Sequence, residues 1–266
     1  LQANFREKES MEFYKYQGTG NDFVMIDNRS GEWDHLSIAN IQKLCDRRFG
    51  IGADGLIKIN TAANVDFEVD YYNSDGSKSF CGNGARCSVA FAHFLSIFKN
   101  NTTVFTAIDG LHEAEINGNI VKLKMGDVTE ITNDGEDSVL DTGSPHYIKY
   151  VEDIANFNVF AEGNSIRNSE NYKEKGINVN FVENISNDEI FVRTYERGVE
   201  DETFSCGTGV TASALTFLKK SNLTSIKVKT LGGDLKVYAE KDGETFRQIW
   251  LEGPAKQVFR GKVDLL

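Results

Sequence analysis

Most of the chain alternates apolar and polar positions in short runs, but two stretches break that rhythm. Residues 85–95 read Ala-Arg-Cys-Ser-Val-Ala-Phe-Ala-His-Phe-Leu, and residues 210–218 read Val-Thr-Ala-Ser-Ala-Leu-Thr-Phe-Leu. Both are apolar on most sides at helical spacing, which predicts buried helices rather than surface ones. The runs of strand character are 11–16, 23–27, 56–59, 67–72, 103–107, 111–116 and 120–125 in the first half. In the second half they are 177–182, 190–195, 225–230, 235–240 and 245–251. Asn117-Gly118 and Asp242-Gly243 stand between paired runs and predict hairpins. Residues 37–48 predict a further helix, with Ser37 as its N-cap and Ile38, Ile41 and Leu44 on one face.

This order occurs twice. Strand, turn, Cys-Gly-x-Gly, buried helix, strand and hairpin run through Cys81 in the first half and Cys206 in the second. Asn178 to Val182 also echoes Asn21 to Val24 in an Asn, Phe-Val kernel. Two units at this spacing are not a solenoid, so they predict two related domains. The expected class is α/β of the α+β type. Each of two pseudo-symmetric domains is a mostly antiparallel sheet or half-barrel around a central helix, and the active site lies in the cleft between them. The first domain is placed at 11–125 and the second at 126–254, with 255–266 returning to the first. Residues 1–10 read as a vector-derived remnant or an upstream extension. Residues 133–137 and 164–175 read as polar surface loops, and Pro145 and Pro254 as strand ends. Gly18-Thr19-Gly20 lacks the third glycine and the helix of a dinucleotide fingerprint and reads as a turn.

Bulk properties narrow the function. A chain of 266 residues with 40% hydrophobic and 26% charged residues can build its core without metal or disulfide staples. The net charge of −11 argues against nucleic acid as a partner. No apolar run approaches a membrane span and no secretion signal is visible, so a cytoplasmic location is expected. Four cysteines and four histidines form no disulfide framework and no zinc spacing, so no metal is expected.

The chemistry concentrates where the glycine pairs meet the buried helices. A helix N-terminus carries unpaired N–H groups and partial positive charge, which favours a thiolate or a bound carboxylate. A single free cysteine is usually a small buried hydrophobe. Two at equivalent points of a repeat, Cys81 and Cys206, point instead to a matched acid–base pair flanking one cleft. A carbon between them could lose its proton to one thiolate and gain one from the opposite thiol. Opposed helix ends would support the carbanion electrostatically.

The stretches GTGNDFVMIDNR, RRFGIGADGL, YYNSDGSKSFCGNGARC, TGSPH, INVNFVE and RTYERGVEDETFSCGTGVTASA resemble the diaminopimelate epimerase family. The resemblance runs from Met11 to about Arg260. It implies conversion of LL- to meso-diaminopimelate without pyridoxal phosphate or other cofactor, in lysine and peptidoglycan precursor synthesis. By the same resemblance Cys81 and Cys206 are the acid–base pair, and His146 and Glu196 their partners. Gly82, Asn83, Gly207 and Thr208 would offer N–H groups to the reacting carboxylate. Asn21, Asn73, Asn178, Glu196 and Arg197 match substrate-holding positions. Such groups suit a distal amino acid, since arginine binds carboxylate and amide oxygens bind ammonium. Read alone, the asparagines would be turn formers, Glu196 a solvated charge, His146 a loop histidine and Arg197 a surface ion-pair partner. Expected partners are a small-molecule substrate and, in assembly, a homodimer. The sequence departs from the family at Gly55, where many members carry glutamine, and at Ser144, where many carry asparagine. It is also one residue short between Asn73 and Cys81.

Three other readings stay open. Proline and hydroxyproline racemases use the same two-cysteine logic, but commonly carry histidine where this chain has Asn83. A thiol–disulfide protein would want a Cys-x-x-Cys motif, which is absent. A non-catalytic amino-acid-binding module explains the carboxylate nests but not the two thiols.

Overall fold

The structure, a computed structural model, describes residues 10–265, so the expectation for the N-terminal extension lies outside the described residues except at Ser10. The first half contains β1 (Ser10–Gly18), β2 (Asn21–Asp27), α1 (Ile38–Cys45), β3 (Gly55–Asn60) and β4 (Phe67–Asn73). It continues with α2 (Gly82–Phe94), β5 (Thr102–Ala107), β6 (Gly110–Asn117) and β7 (Ile120–Lys124). The second half opens with β8 (Thr132–Asp134), β9 (Asp137–Asp141), β10 (Pro145–Tyr150), α3 (Val159–Arg167) and β11 (Asn178–Asn184). Then come β12 (Glu189–Glu196), β13 (Asp201–Thr203), α4 (Gly207–Lys219), β14 (Ser225–Thr230), β15 (Gly233–Asp242), β16 (Thr245–Pro254) and β17 (Lys256–Asp264).

Strand pairing exposes the repeat. From β1 to β7 successive partners run antiparallel, parallel, antiparallel, parallel, antiparallel, antiparallel. From β9 to β16, leaving out β13, the same series recurs. β2 therefore corresponds to β10, β3 to β11, β4 to β12 and α2 to α4. This is the two-domain, pseudo-symmetric architecture expected from the sequence. The two units join edge to edge through β7 and β16, and β17 crosses to pair with β1.

Each central helix is buried because its apolar residues cover most of its surface. Val89, Phe91 and Ala92 of α2 and Val210, Leu215 and Leu218 of α4 belong to one apolar cluster with Phe23, Ile57, Val237 and Leu251. Full burial of each large side chain there contributes about 1.5–3 kcal/mol. Two satellite cores lie under α1 and α3. No helix among the described residues is long and apolar enough to cross a membrane.

Several local expectations change. α1 stops at Cys45, because Asp46 leaves helical geometry and Arg47 turns back to pair with Asp22 and Asp54. Residues 133–137 are the tip of the β8–β9 hairpin rather than an independent loop. The loop expected at 164–175 begins inside α3, capped by Asn158, whose side chain accepts from the Ala161 N–H. Pro145 opens β10 instead of ending a strand, while Pro254 does end β16. The kernel echo is also out of register: it matched β11 to β2, whereas the pairing matches β11 to β3 and β10 to β2.

Candidate functional site

Cys81 and Cys206 are the N-cap residues of α2 and α4. The two helices point their first turns at each other. A Cβ built on Gly82 would lie 3.9 Å from the Gly207 Cα, and one built on Gly207 would lie 3.7 Å from the Gly82 Cα. The glycines allow this approach, and it aims the free amide groups of both helices at one cleft. Asn83 ties the halves together, its Nδ2 donating to the Ser205 carbonyl at 2.9 Å.

Around Cys81 the sulfur accepts from the Gly84 N–H at 3.4 Å and donates toward Asn21 Oδ1 at 3.4 Å. Asp54 orients that amide, accepting from Asn21 Nδ2 at 2.5 Å. Behind the cap, Phe23 and Ile57 form an apolar wall against Gly84. Arg86, fully buried, gives Nη2 to Asn83 Oδ1 at 2.9 Å and Thr19 Oγ1 at 3.1 Å, while its Nε and Nη1 have no partner. It therefore places an uncompensated positive charge behind the start of α2, which favours an anion there.

Around Cys206 the wall is polar. Sγ lies 3.4 Å from Thr208 Oγ1, which lies 3.1 Å from Ser144 Oγ, which lies 3.0 Å from His146 Nε2. Asn180 Nδ2 donates to His146 Nδ1 at 3.0 Å, and Thr194 donates to Asn180 Oδ1 at 2.9 Å. His146 therefore reaches the thiol through two hydroxyls. Asn178 donates to Ser144 Oγ at 3.2 Å and accepts from the Arg197 N–H at 2.9 Å. The Arg197 guanidinium, on an exposed residue, donates to the Lys175 carbonyl.

Electrostatics modify the expectation of lowered thiol pKa values. Burial pushes Cys81 up to about 11, against the Gly84 N–H, and Cys206 up to about 12, with the Glu196 charge adding to the rise. Burial also raises Glu196, which ends β12 half-buried and whose charge acts on both sulfurs. Burial and then the nearby Arg197 charge push His146 down to about 3, so the ring is neutral at pH 7.

The structure thus brings Cys81, Cys206, Gly82, Gly207, Asn21, Asn83, Thr208, His146 and Asn178 together around the two facing helix caps, with Glu196 and Arg197 at the rim. Asn73 is held apart by its own turn, accepting from the Tyr71 hydroxyl and donating to Ser77 and Ser79. Sequence reasoning missed Thr19, Asp54, Arg86, Asn180, Thr194 and Ser205. Arg86 stood inside a run read as helix core, and Asn180 inside a strand run. A hollow of about 550 Å³ lined by Glu12, Tyr14, Asp27, Arg29 and Trp33 shares no residue with this group.

The family model described as diaminopimelate epimerase matches residues 13–131 and 138–258. A diaminopimelate epimerase of Flavobacterium psychrophilum is 51% identical over 253 residues, covering 94% of this chain and 98% of that protein. A phenazine biosynthesis protein of the PhzF family from Bacillus anthracis superimposes with a TM-score of 0.73 at 13% identity, covering 97% of this chain and 100% of that one. A hydroxyproline epimerase from Agrobacterium vitis gives 0.70 at 12% identity, covering 98% and 94%. These two structural likenesses speak to the fold alone.

Proposed function

The chain belongs to the diaminopimelate epimerase family and is an epimerase, and on that footing we propose that it interconverts LL- and meso-2,6-diaminopimelate with two thiols and no pyridoxal phosphate. The observation that carries the reading is the meeting of two cysteine-capped helix ends at Gly82 and Gly207. A substrate α-carbon held between the caps has a sulfur on each face. One thiolate takes the α-proton, the electron pair is held as a carbanion conjugated with the carboxylate, and the opposite thiol returns a proton to the other face. The first-turn amides of both helices, at Gly82, Asn83, Gly207 and Thr208, receive the α-carboxylate, where charge develops. Asn21, Asn178, Glu196 and Arg197 hold the distal amino acid, whose ammonium and carboxylate require acceptors and a cation. Asn73 joins them only by giving up its bonds to Ser77 and Ser79. At Gly55, where many relatives carry a glutamine, a Cβ would run into the Tyr71 ring, so Tyr71 takes up that space. At Ser144 the shorter side chain engages His146, Thr208 and Asn178 through its hydroxyl. The product is a lysine and peptidoglycan precursor.

The test is NMR of LL-diaminopimelate with the reduced protein in D₂O, without added pyridoxal phosphate or metal. Deuterium at one α-position together with meso product is expected. Exchange of proline or hydroxyproline instead would move the chain to those racemases, and no exchange with any of the three would sink the reading.

A further inference from the structure

The two sulfurs sit in hydrogen-bond chains of opposite direction. Near Cys206 each direction is fixed by a backbone partner. The Tyr147 carbonyl accepts from Asn180 Nδ2 at 3.2 Å, so that amide also presents its N–H to His146 Nδ1. His146, neutral and accepting at Nδ1, carries its hydrogen on Nε2 and donates it to Ser144 Oγ. The Pro145 carbonyl and the Arg197 N–H orient Asn178 in the same way, so its Nδ2 donates to Ser144 Oγ too. With both lone pairs of Ser144 engaged, its own O–H must point to Thr208. Thr208 then has its O–H left for Cys206 Sγ. From Asn180 through His146, Ser144 and Thr208, each link donates toward the sulfur.

Cys81 faces the reverse. Asp54 accepts from Asn21 Nδ2, so Asn21 turns its oxygen toward Cys81 Sγ, and an S–H there has an acceptor. Ionising Cys81 would set a thiolate against an amide oxygen. Strand register makes Ser144 the counterpart of Asn21, since each lies two residues before the equivalent residues His146 and Phe23. At one position the repeat therefore carries a donor in one half and an acceptor in the other.

We propose that Cys206 is the thiolate of the resting enzyme and Cys81 its thiol, with Ser144 as the positioning residue that sets this assignment through Thr208. The inference rests on the two-thiol reading above. Glu196 from β12 and the opposing cysteine face Cys206, and Glu196 acts on Cys81 as well, so that charge does not by itself separate them. The buried Arg86 guanidinium of α2, by contrast, lies behind Cys81 alone and, as the smallest influence on it, favours an anion there. Burial of Cys206 and the Arg86 charge behind Cys81 both order the thiols the other way. Hydrogen-bond direction outweighs them, because a donor to a charged acceptor is about twice as strong as a neutral one.

The experiment reads each thiolate directly, without substrate. The reduced enzyme is treated with iodoacetamide across a pH series, and the alkylation rates of Cys81 and Cys206 are followed by peptide mass spectrometry. The midpoint of each profile reports ionisation, while the plateau absorbs differences in access. In the wild type the Cys206 midpoint should lie below that of Cys81. Ser144→Ala should raise it by about one unit, or about tenfold slower alkylation below the midpoint, and leave Cys81 in place. Ser144→Thr should restore the wild-type midpoint, which separates a missing hydroxyl from a misfolded variant. A Cys81 midpoint below that of Cys206, or an unmoved Cys206 midpoint in Ser144→Ala, overturns the assignment. Turnover of LL-diaminopimelate measured alongside keeps the readings apart: its absence in the wild type counts against the proposed reaction, not against the order of the thiols.

Discussion

The walls behind the two helix caps occupy the same register and are built from opposite materials. In the first domain Phe23 and Ile57 back Gly84, and Tyr71 pairs with Ile57 across β3 and β4. In the second, His146 and Asn180 back Gly209, and Thr194 pairs with Asn180 across β11 and β12. The first row packs ring against ring, with Phe23 and Tyr71 at 5.8 Å. The second has each polar side chain hydrogen-bonded, as burial demands. The repeat thus supplies a symmetric cradle, while the side chains in it break the symmetry. On the two-thiol reading proposed above, the enzyme needs that break, because at any instant one sulfur is base and the other acid.

Removing either sulfur should have the largest effect. Cys81→Ala and Cys206→Ala are each expected to lower turnover by about 10²–10⁴-fold, the range for a positioned acid or base. Each variant keeps one thiol, so in D₂O it should exchange an α-hydrogen without inversion, and the two variants should act on opposite configurations. Inversion at more than a tenth of the wild-type rate by either variant breaks the pairing.

Making the second wall resemble the first comes next. His146→Phe takes one hydrogen-bond partner each from Asn180 Nδ2 and Ser144 Oγ, at about 1–3 kcal/mol of stability. The triple change His146→Phe, Asn180→Ile, Thr194→Val removes the polar groups together and should recover at least half of that loss in a urea titration. Turnover should stay at least tenfold down in both. A triple variant less stable than the single would show that the polar row is not interchangeable with an apolar one.

Acid should separate the halves too. Asp22 precedes Phe23, and its counterpart before His146 is the uncharged Pro145. Burial alone would raise the Asp22 carboxyl, but Arg47 and Lys15, each at 2.7 Å, outweigh it and bring it down to about 2. A depressed carboxylate stabilises the fold fully above its unfolded value near 3.8, and the contribution fades as pH falls through 2. The loss is about 2 kcal/mol. Amide exchange should show β1 and β2 losing protection between pH 4 and 2 ahead of β10 and β11. Equal loss in both halves would count against the ion pairs as the cause.

How much of this was legible follows from which residues advertise their surroundings. Cys81 and Cys206 were legible because a thiol before Gly-x-Gly and an apolar helix recurs. The strand after each helix and the two hairpins were legible from alternation and from Asn-Gly and Asp-Gly. The second wall was not, because a buried Asn180 or Thr194 looks in sequence like a solvent-facing strand position. β10 escaped notice for a related reason: it opens on a proline and carries buried His146 among its apolar residues. α3 buries only Val159 and Gly163, too few to impose a helical period on a polar segment. The register error in the repeat had a plain source as well, since a short Asn, Phe-Val kernel fits two neighbouring strands and only pairing decides between them.

The smallest expected effect isolates the walls most cleanly, because it changes equivalent glycines in equivalent helices by one methyl group. Alanine in place of a helical glycine is worth about 0.5–1 kcal/mol by propensity in both. At Gly84 the new Cβ would meet Ile57 Cδ1 at 3.2 Å, the free end of a side chain that can turn aside. At Gly209 it would overlap Asn180 Oδ1, with His146 Cε1 at 3.3 Å beside it. Asn180 cannot yield without giving up its bonds to Thr194 and His146. Gly84→Ala should therefore be neutral or slightly stabilising, whereas Gly209→Ala should lose about 1–2 kcal/mol net. For a chain of this size that is a Tm lower by about 2–8 °C. If the hydrogen-bonded row sets the state of Cys206, Gly209→Ala should also raise that thiol's alkylation midpoint, and Gly84→Ala should not move the one at Cys81. Equal Tm changes in the two variants would mean that the second wall yields as readily as the first, and that its hydrogen bonds do not hold it in place.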